Sequence, residues 1–362
     1  MYLRCHGLPT IDFQYLSAAE PASHTNFNPK GELTISRETI SLLGLGYSYP
    51  DQTIGNEAID AWTGKDDEWI KRKTGIENRY YSADSTHTDE LAAEAALSAI
   101  KDSGLTIDDI DGVVCSTSTP SQTIPATASL ISRRLGIRRH VPALDINAVC
   151  SGWAYSVAVA QGFLLSHPEL KNILTVSADT YSRIMNRNDP TTVTLFGDGA
   201  AAGIISSASV LHSICGLKIR NAANMADAVK IQGTLTTTSG SGDYIPRPQF
   251  SMDGKTVLRT AHKVIPSLVD EILQEVGISK QDVNHLILHQ GNVRMAESLT
   301  EKLGFHPSQV HINADSFGNT ASASAPMALA EASQQGKFRK GDRILLLTIG
   351  GGITYAGMVI TW

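Results

Sequence analysis

The sequence predicts an α/β protein built from two similar halves, and three observations support this fold class. Segments with the composition of strands alternate along the chain with segments that have helical periodicity. Several strand segments are short and continuously apolar, as Gly112–Ser116 is, which is typical of strands buried on both faces of a sheet. The third observation is an internal repeat, in which residues 104–115 align with residues 277–288 without a gap.

The chain begins with a segment that has no sustained hydrophobic periodicity. Residues 1–36 carry scattered Pro, Asn and Ser, and we expect an irregular N-terminal extension there. The core is predicted to begin near Arg37, with an apolar strand over residues 39–45 that ends before Gly46. Residues 89–103 are rich in alanine and place apolar side chains on one face, which predicts a helix.

The internal repeat has three parts, which occur in the same order in both halves of the chain. The pairs are residues 104–115 with 277–288, residues 135–150 with 303–319, and residues 172–177 with 343–349. Chance similarity between two βα units would explain one pair, but not three in order. We therefore predict two halves, residues 37–215 and 216–362, which are related by a pseudo-twofold axis.

The composition excludes several classes of protein. The chain has 42% apolar and 18% charged residues and a formal net charge of −6, which fits a globular protein and argues against nucleic-acid binding. Its four cysteines form no Cys-x-x-Cys pair and no zinc-ligand spacing, so we expect reduced cysteines and no metal. We find no secretory signal and no stretch of about 18 uncharged apolar residues, and we expect a cytoplasmic protein without a membrane span.

Cys150 is the candidate nucleophile of this sequence. It follows a predicted strand, Ala143–Val149, and opens a predicted helix, Ser151–Ser166. The positive end of a helix dipole favours a thiolate, so we expect the pKa of this thiol to be lowered. The alternative is a buried apolar cysteine, which is the usual state of a free Cys and the one we expect for the other three.

His289 and Asn319 are the candidate hydrogen-bond donors. His289 directly follows the apolar strand Leu286–Leu288, at the end of a sheet where α/β proteins place their sites. Asn319 follows Gly318 and offers an amide donor that does not titrate near neutral pH. The alternatives are a structural histidine and an asparagine that only caps a helix.

A run of three glycines, Gly350–Gly352, follows the apolar segment Arg343–Ile349. Such a turn exposes backbone N–H groups to a developing oxyanion. The alternative is a tight turn in which glycine is needed only because the backbone adopts a positive φ. Together with Cys150, His289 and Asn319 the glycine turn indicates acyl transfer through a thioester. No Asp or Glu pairs obviously with His289, which argues against a papain-like protease.

These residues resemble those of the β-ketoacyl-acyl-carrier-protein synthase III family, which has the thiolase fold. The resemblance extends from about residue 39 to the C-terminus and rests on motifs in family order. They are Asp67–Ile70 with Thr74–Ile76, Asp145–Cys150, Phe196–Ala200, His289–Arg294, Gly318–Thr320 and Gly350–Gly352.

The resemblance implies a five-layered αβαβα homodimer without a cofactor and a two-stage reaction on thioesters. Cys150 would take an acyl group from a primer thioester, and a malonyl thioester would then lose carbon dioxide. His289 and Asn319 would stabilise the resulting carbanion, which attacks the acyl group on Cys150. The N–H groups of Cys150 and Gly352 would hold the oxyanion.

The resemblance also implies residues for substrate contact, and several of them depart from the family pattern. Trp69 matches, whereas Lys73 and Pro190 stand where arginines are usual and Lys255 replaces an asparagine. Asn292 is a further expected contact. We therefore expect loading from an acyl carrier protein, or from an unusual thioester, rather than chiefly from acetyl coenzyme A.

Two arginines and one isoleucine complete the residues that the resemblance assigns. Arg259 and Arg294 match cationic positions that face an acidic acyl carrier protein. Ile124 stands where many bacterial members place phenylalanine, at the pocket end contributed by the partner subunit. The smaller side chain is expected to admit a longer or branched acyl group.

Competing functions remain open at this stage. A same-fold acyltransferase would move the acyl group to oxygen or nitrogen without decarboxylation, and it would need a base for the acceptor. A non-catalytic subunit of a heterodimer would normally lose one of the three reactive side chains, and this chain keeps all three. A 3-hydroxy-3-methylglutaryl synthase and a cysteine hydrolase are weaker alternatives.

Overall fold

The computed structural model describes residues 25–27, 33–35, 40–209, 211–232 and 249–362. The chain divides into two units, Met1–Glu38 and Thr39–Trp362. In the first unit, the described strands Thr25–Phe27 and Leu33–Ile35 pair antiparallel, within the segment that the sequence predicts to be irregular. The rest of that predicted extension, including Cys5, lies outside the described residues, and the predicted boundaries of the two halves stay predictions.

The secondary structure is numbered in chain order. The strands β1 to β16 are Thr25–Phe27, Leu33–Ile35, Ile40–Ser48, Gln52–Gly55, Asn78–Tyr81, Gly112–Ser116, Ala143–Ile146, Asn172–Asp179, Gly199–Ser206, Ser213–Asn221, Val229–Gln232, Gln249–Met252, His285–Leu288, Val310–His311, Arg343–Ile349 and Thr354–Thr361. The helices α1 to α9 are Asn56–Thr63, Asp67–Thr74, Thr88–Ser103, Thr127–Leu135, Gly152–Ser166, Gly254–Val276, Val293–Leu303, Ala314–Phe317 and Ser324–Gln334.

Ten strands of the described residues form a sheet whose order is symmetric about its centre. The order is β14-β13-β15-β16-β10-β3-β9-β8-β6-β7. The outer three strands of each half run parallel, and the inner strands pair antiparallel. Two residue pairs between β3 and β10 join the halves. The segments paired in the sequence repeat occupy equivalent strands, β6 with β13 and β8 with β15, so the predicted two-half architecture is confirmed.

The apolar core is divided into clusters that define five layers. One cluster packs α3 and α4 on the strands of the N-terminal half, and another packs α6 and α7 on those of the C-terminal half. A third cluster joins α5 and α9 to strands of both halves. The two central helices therefore lie between the half-sheets, as the αβαβα arrangement requires.

Local chemistry explains why the repeated segments fold alike. Helices α3 and α6 end at Gly104 and Gly277, whose φ values of 72° and 74° are in the left-handed region that favours glycine. Each glycine is followed by a 3₁₀ turn with a capping box, built on Thr106 in one half and Ser279 in the other. The turn then delivers the chain into β6 or β13. The repeat is therefore a repeated set of residues that end one helix and begin the next turn.

One window of the described residues has the length and apolar composition of a membrane span. It is Val149–Ser166, which includes α5, and this corrects the expectation that the chain has no such stretch. Half of the window is buried inside the protein. The core helix of a soluble protein has the same property, and α5 belongs to the central core cluster.

Candidate active site

A cavity of about 220 Å³ brings together the three side chains that the sequence predicts to be reactive. Cys150 reaches it from the start of α5, His289 from the end of β13, and Asn319 from the loop after α8. These three side chains are almost completely buried, with exposed fractions of 7%, 6% and 5%. The cavity thus lies where equivalent strand ends of the two halves converge.

The backbone before Cys150 turns sharply from strand to helix. Strand β7 ends at Ile146, earlier than predicted, and a 3₁₀ turn at Val149–Ser151 leads directly into α5. Val149 has a φ of 48°, which is unusual for a β-branched residue and marks a strained position. The Ser151 hydroxyl donates to the Thr354 carbonyl oxygen at 3.1 Å, which fastens this turn to β16 in the other half.

The electrostatic state of Cys150 differs from the sequence expectation. Burial raises the pKa of the Cys150 thiol, and the Asp179 carboxylate raises it further. Both effects favour the neutral thiol, contrary to the lowered pKa that the position at the start of α5 predicts. Asp179 is fully buried and accepts hydrogen bonds from the backbone N–H groups of Ser118 and Ser322, at 2.9 and 3.1 Å.

His289 is held at both its backbone and its ring. Its backbone N–H donates to the Leu347 carbonyl oxygen at 2.8 Å, and its ring Nδ1 lies 2.6 Å from the Ser324 hydroxyl oxygen. Burial lowers the pKa of His289 to about 4, so the imidazole is neutral at pH 7. Gly291 lies against the other ring nitrogen: a Cβ there would be 3.3 Å from Nε2.

Asn319 is oriented by the loop that carries it. Its backbone N–H donates to the Leu195 carbonyl oxygen at 2.8 Å, and its carbonyl oxygen accepts from Gly197 N–H at 3.1 Å. The side-chain Oδ1 accepts from Ala321 N–H at 2.9 Å. The amide oxygen is therefore occupied, and the amide NH₂ is the group that Asn319 has available for the cavity.

The glycine turn packs directly on Cys150, but the glycines that line the cavity differ from the predicted one. A Cβ on Gly350 would lie only 2.6 Å from Cys150 N, so the turn and the cysteine backbone are in close contact. Gly350 and Gly351 line the cavity, whereas Gly352, at a φ of 110°, does not. The N–H of Gly351 belongs to the first turn of a 3₁₀ helix and has no acceptor within that turn.

Three aromatic side chains that pack together line the cavity. The Tyr181 and Phe196 rings stack at 4.6 Å, and Phe250 meets both rings edge-on, at 5.3 and 4.9 Å. The Tyr181 hydroxyl lies 3.0 Å from the Ser118 hydroxyl. Only Phe196 had a sequence signal, because it begins the motif Phe196–Ala200, and burial of the other two rings depends on tertiary packing.

The residues expected to contact substrate fall into two groups. Lys73, Asn292 and Arg294 line the cavity. Asn292 also caps α7, since its Oδ1 accepts from Met295 N–H at 2.8 Å. Arg294 makes an ion pair with Glu297 at 2.9 Å.

The second group does not line the cavity in the described part of the chain. It consists of Trp69, Lys255, Arg259, Ile124 and Gly352. Trp69 carries the Lys65 ammonium over its ring at 5.4 Å, and Arg259 donates to Thr256. Ile124 is 84% exposed in the single chain, the largest exposed fraction among the large apolar residues that stand out on the described surface.

The described residues contain no group of three or more His, Cys, Asp or Glu side chains placed to hold a metal ion. The described cysteines Cys115, Cys150 and Cys215 are free thiols. The cavity itself presents the Cys150 thiol, the His289 ring, the Asn319 amide and the glycine turn.

Comparison with known proteins agrees with this geometry. Residues 144–222 match the family model described as 3-oxoacyl-[acyl-carrier-protein (ACP)] synthase III, and residues 273–362 match the model of its C-terminal part. A β-ketoacyl-[acyl-carrier-protein] synthase III from Neisseria gonorrhoeae is 34% identical over 322 residues, which cover 88% of this chain and 98% of that protein.

Solved structures with the same fold include two condensing enzymes. The 3-oxoacyl-[acyl-carrier-protein] synthase III from Aquifex aeolicus has a TM-score of 0.81 at 29% identity, covering 89% of this chain and 100% of that one. The priming β-ketosynthase of the R1128 polyketide pathway has a TM-score of 0.83 at 26% identity, covering 90% of this chain and 96% of that one. The thiolase-like fold class is thus confirmed.

Proposed function

The chain belongs to the β-ketoacyl-[acyl-carrier-protein] synthase III family of condensing acyltransferases, and we propose that Cys150 carries the acyl group in its reaction. The observation that carries this proposal is the shared cavity of Cys150, His289 and Asn319. One nucleophile and two oriented donors in a buried site are what decarboxylative condensation requires.

The first stage is an exchange of thioesters. The Cys150 sulfur attacks the carbonyl carbon of a primer thioester, and the bond from that carbon to the primer sulfur breaks. The proton of Cys150 ends on the released thiol, so the exchange consumes no acid or base overall. A thiol of raised pKa therefore has to lose its proton as the new bond forms, which makes close approach of the primer essential.

The second stage forms the carbon–carbon bond. The bond from the α-carbon of a malonyl thioester to its carboxylate breaks, carbon dioxide leaves, and the electron pair stays on an enolate. We assign stabilisation of the enolate oxygen to His289 and to the amide NH₂ of Asn319. The low pKa of His289 favours donation from a neutral ring, which avoids an ion pair with the malonyl carboxylate.

The enolate carbon then attacks the acyl carbonyl on Cys150. We assign the oxyanion that forms to the N–H groups of Cys150 and Gly351, since Gly351, rather than Gly352, lines the cavity. The intermediate collapses to a β-ketoacyl thioester and a Cys150 thiolate, which takes one proton from water. The cycle needs no redox step, and we propose that it uses no cofactor besides its thioester substrates.

The proposed partners, a carrier protein and a second subunit, are inferred from the family and from residues that line the cavity or lie exposed. We propose an acyl carrier protein as a partner, with Lys73 and Arg294 near the point where its thioester arm enters. Arg259 is proposed to contact the carrier protein, and Trp69 and Lys255 are proposed to contact the pantetheine arm outside the cavity. We further propose a cytoplasmic homodimer, in which the exposed Ile124 is covered by the partner subunit.

The direct test is intact-mass analysis of the wild type and Cys150→Ala after incubation with acyl-coenzyme A and acyl-carrier-protein donors. A malonyl carrier protein is then added. An adduct on the wild type only, discharged with release of carbon dioxide, is the expected result. An adduct that only a hydroxyl or amine acceptor removes would instead support the same-fold acyltransferase. No adduct from any donor would support the non-catalytic subunit.

A further inference from the structure

Ser324 is a buried hydroxyl that faces the ring of His289 from a different element. It opens α9, is 1% exposed, and lies 35 residues from His289 in the chain. Its Oγ makes two hydrogen bonds among the described residues, to His289 Nδ1 at 2.6 Å and to the backbone N–H of Gln290 at 3.3 Å. The function described above does not use this residue.

The direction of these hydrogen bonds follows from what each group can donate. The N–H of Gln290 can only donate, so Ser324 Oγ accepts there. A hydroxyl has a single proton, and the remaining partner in the described structure is His289 Nδ1. If Nδ1 carried a proton as well, the Ser324 proton would be buried without an acceptor, which costs about 1–3 kcal/mol. The satisfied arrangement has the Ser324 hydroxyl donating to an unprotonated Nδ1.

The backbone that presents the Gln290 N–H is itself fixed. The Gln290 amide group donates to the carbonyl oxygens of Leu288 and His311, at 2.8 and 3.2 Å, and its Oε1 accepts from Asn313 N–H at 3.1 Å. Gln290 is fully buried. The acceptor role of Ser324 is therefore built into the core rather than left to a mobile loop.

We propose that Ser324 is a positioning residue that fixes the neutral His289 ring with its proton on Nε2, and so makes Nε2–H the donor to the thioester oxygen. This inference rests on the proposed function. A carbonyl oxygen or a carboxylate beside Nδ1, which is common in histidine sites, can only accept and would hold the proton on Nδ1, whereas a hydroxyl can donate to Nδ1. A hydroxyl acts without adding a negative charge beside the developing enolate.

The test combines a spectroscopic signature with step-resolved kinetics on the full chain. Protein labelled with ¹⁵N at histidine is examined by two-dimensional NMR, and His289→Asn identifies the His289 signals. The wild type is expected to show an unprotonated Nδ1 and a protonated Nε2. In Ser324→Ala a mixture of tautomers is expected, and Ser324→Thr, which keeps the hydroxyl, restores the single tautomer.

The kinetic arm separates the two stages of the reaction. Ser324→Ala is expected to slow decarboxylation of the malonyl thioester by about 10- to 100-fold, since it weakens one oriented donor, while acylation of Cys150 changes little. Ser177→Ala is the matched control, because Ser177 is equally buried and its hydroxyl has no partner in the described structure.

The outcomes are distinguishable. A protonated Nδ1 in the wild type would overturn the proposal even if Ser324→Ala failed to fold. Unchanged decarboxylation in a folded Ser324→Ala would overturn it too. Absence of any Cys150 adduct in the wild type would instead remove the proposed function and leave the tautomer result standing.

Discussion

Replacement of Gly350 by alanine tests the contact between the glycine turn and Cys150. Gly350 has φ −146°, which alanine adopts freely, so the effect arises from contact alone. The new Cβ would lie 2.6 Å from Cys150 N and 3.1 Å from Cys150 Cβ. To bring this Cβ and Cys150 N to an ordinary van der Waals distance, the turn and the cysteine backbone must move apart by about 1 Å.

The size of the effect can be worked from that shift. A displacement of about 1 Å at a reacting group costs on the order of 10²-fold in rate, and overpacking costs about 1–3 kcal/mol of stability. We therefore expect Gly350→Ala to fold with a reduced urea midpoint. Its rate of Cys150 acylation, followed by intact mass in a single turnover, should fall by about 100-fold.

Gly162→Ala is the matched control for this substitution. Gly162 lies in α5, the helix that Cys150 precedes, and a Cβ there meets nothing within 4 Å. Its stability should rise by about 0.5–1 kcal/mol, because alanine favours helix, and its acylation rate should not change. Wild-type acylation in a stable Gly350→Ala would refute the close contact as the reason for a glycine at this position.

Three further predictions follow from the site. Burial holds the pKa of His289 at about 4, below its ordinary value of about 6.5, so the unfolded chain binds the extra proton and stability falls as pH drops between these values. The free energy of unfolding, measured by urea titration, should fall by about 3 kcal/mol over this pH range, and His289→Gln should abolish this pH dependence. Asn319→Ala should slow decarboxylation by about 10²- to 10³-fold while Cys150 still accepts the primer, as intact mass would show. Lys73→Arg should lower KM for an acyl-coenzyme A donor by a few-fold, through bidentate phosphate contact, and an unchanged KM would place Lys73 away from the phosphates.

The fold could be predicted because its signals are local. The glycines that end α3 and α6 and the capping boxes after them are readable in the sequence, and they repeat with the strands that follow. Repeated local signals fix repeated units, and the symmetric sheet order follows from packing two such units together.

The state of the site could be predicted only in part, because it depends on contacts between distant segments. Position along the chain made Cys150 the candidate, but its pKa is raised by burial and by the carboxylate of the distant Asp179. The partner of His289 is a serine in an Ala/Ser-rich helix, where no pattern separates Ser324 from its neighbours. The choice between Gly351 and Gly352 depends on the conformation of a turn of three identical residues.

The placement of α5 and α9 between the half-sheets has a consequence for how the enzyme fails. Each helix is contributed by one half and packs against strands of the other, so neither half can bury its central helix alone. Unfolding should therefore be a single cooperative transition of both halves, in which heat inactivation and loss of structure coincide. A chain cut between the halves would regain activity only when both fragments are present together, since the catalytic cavity exists only at their junction.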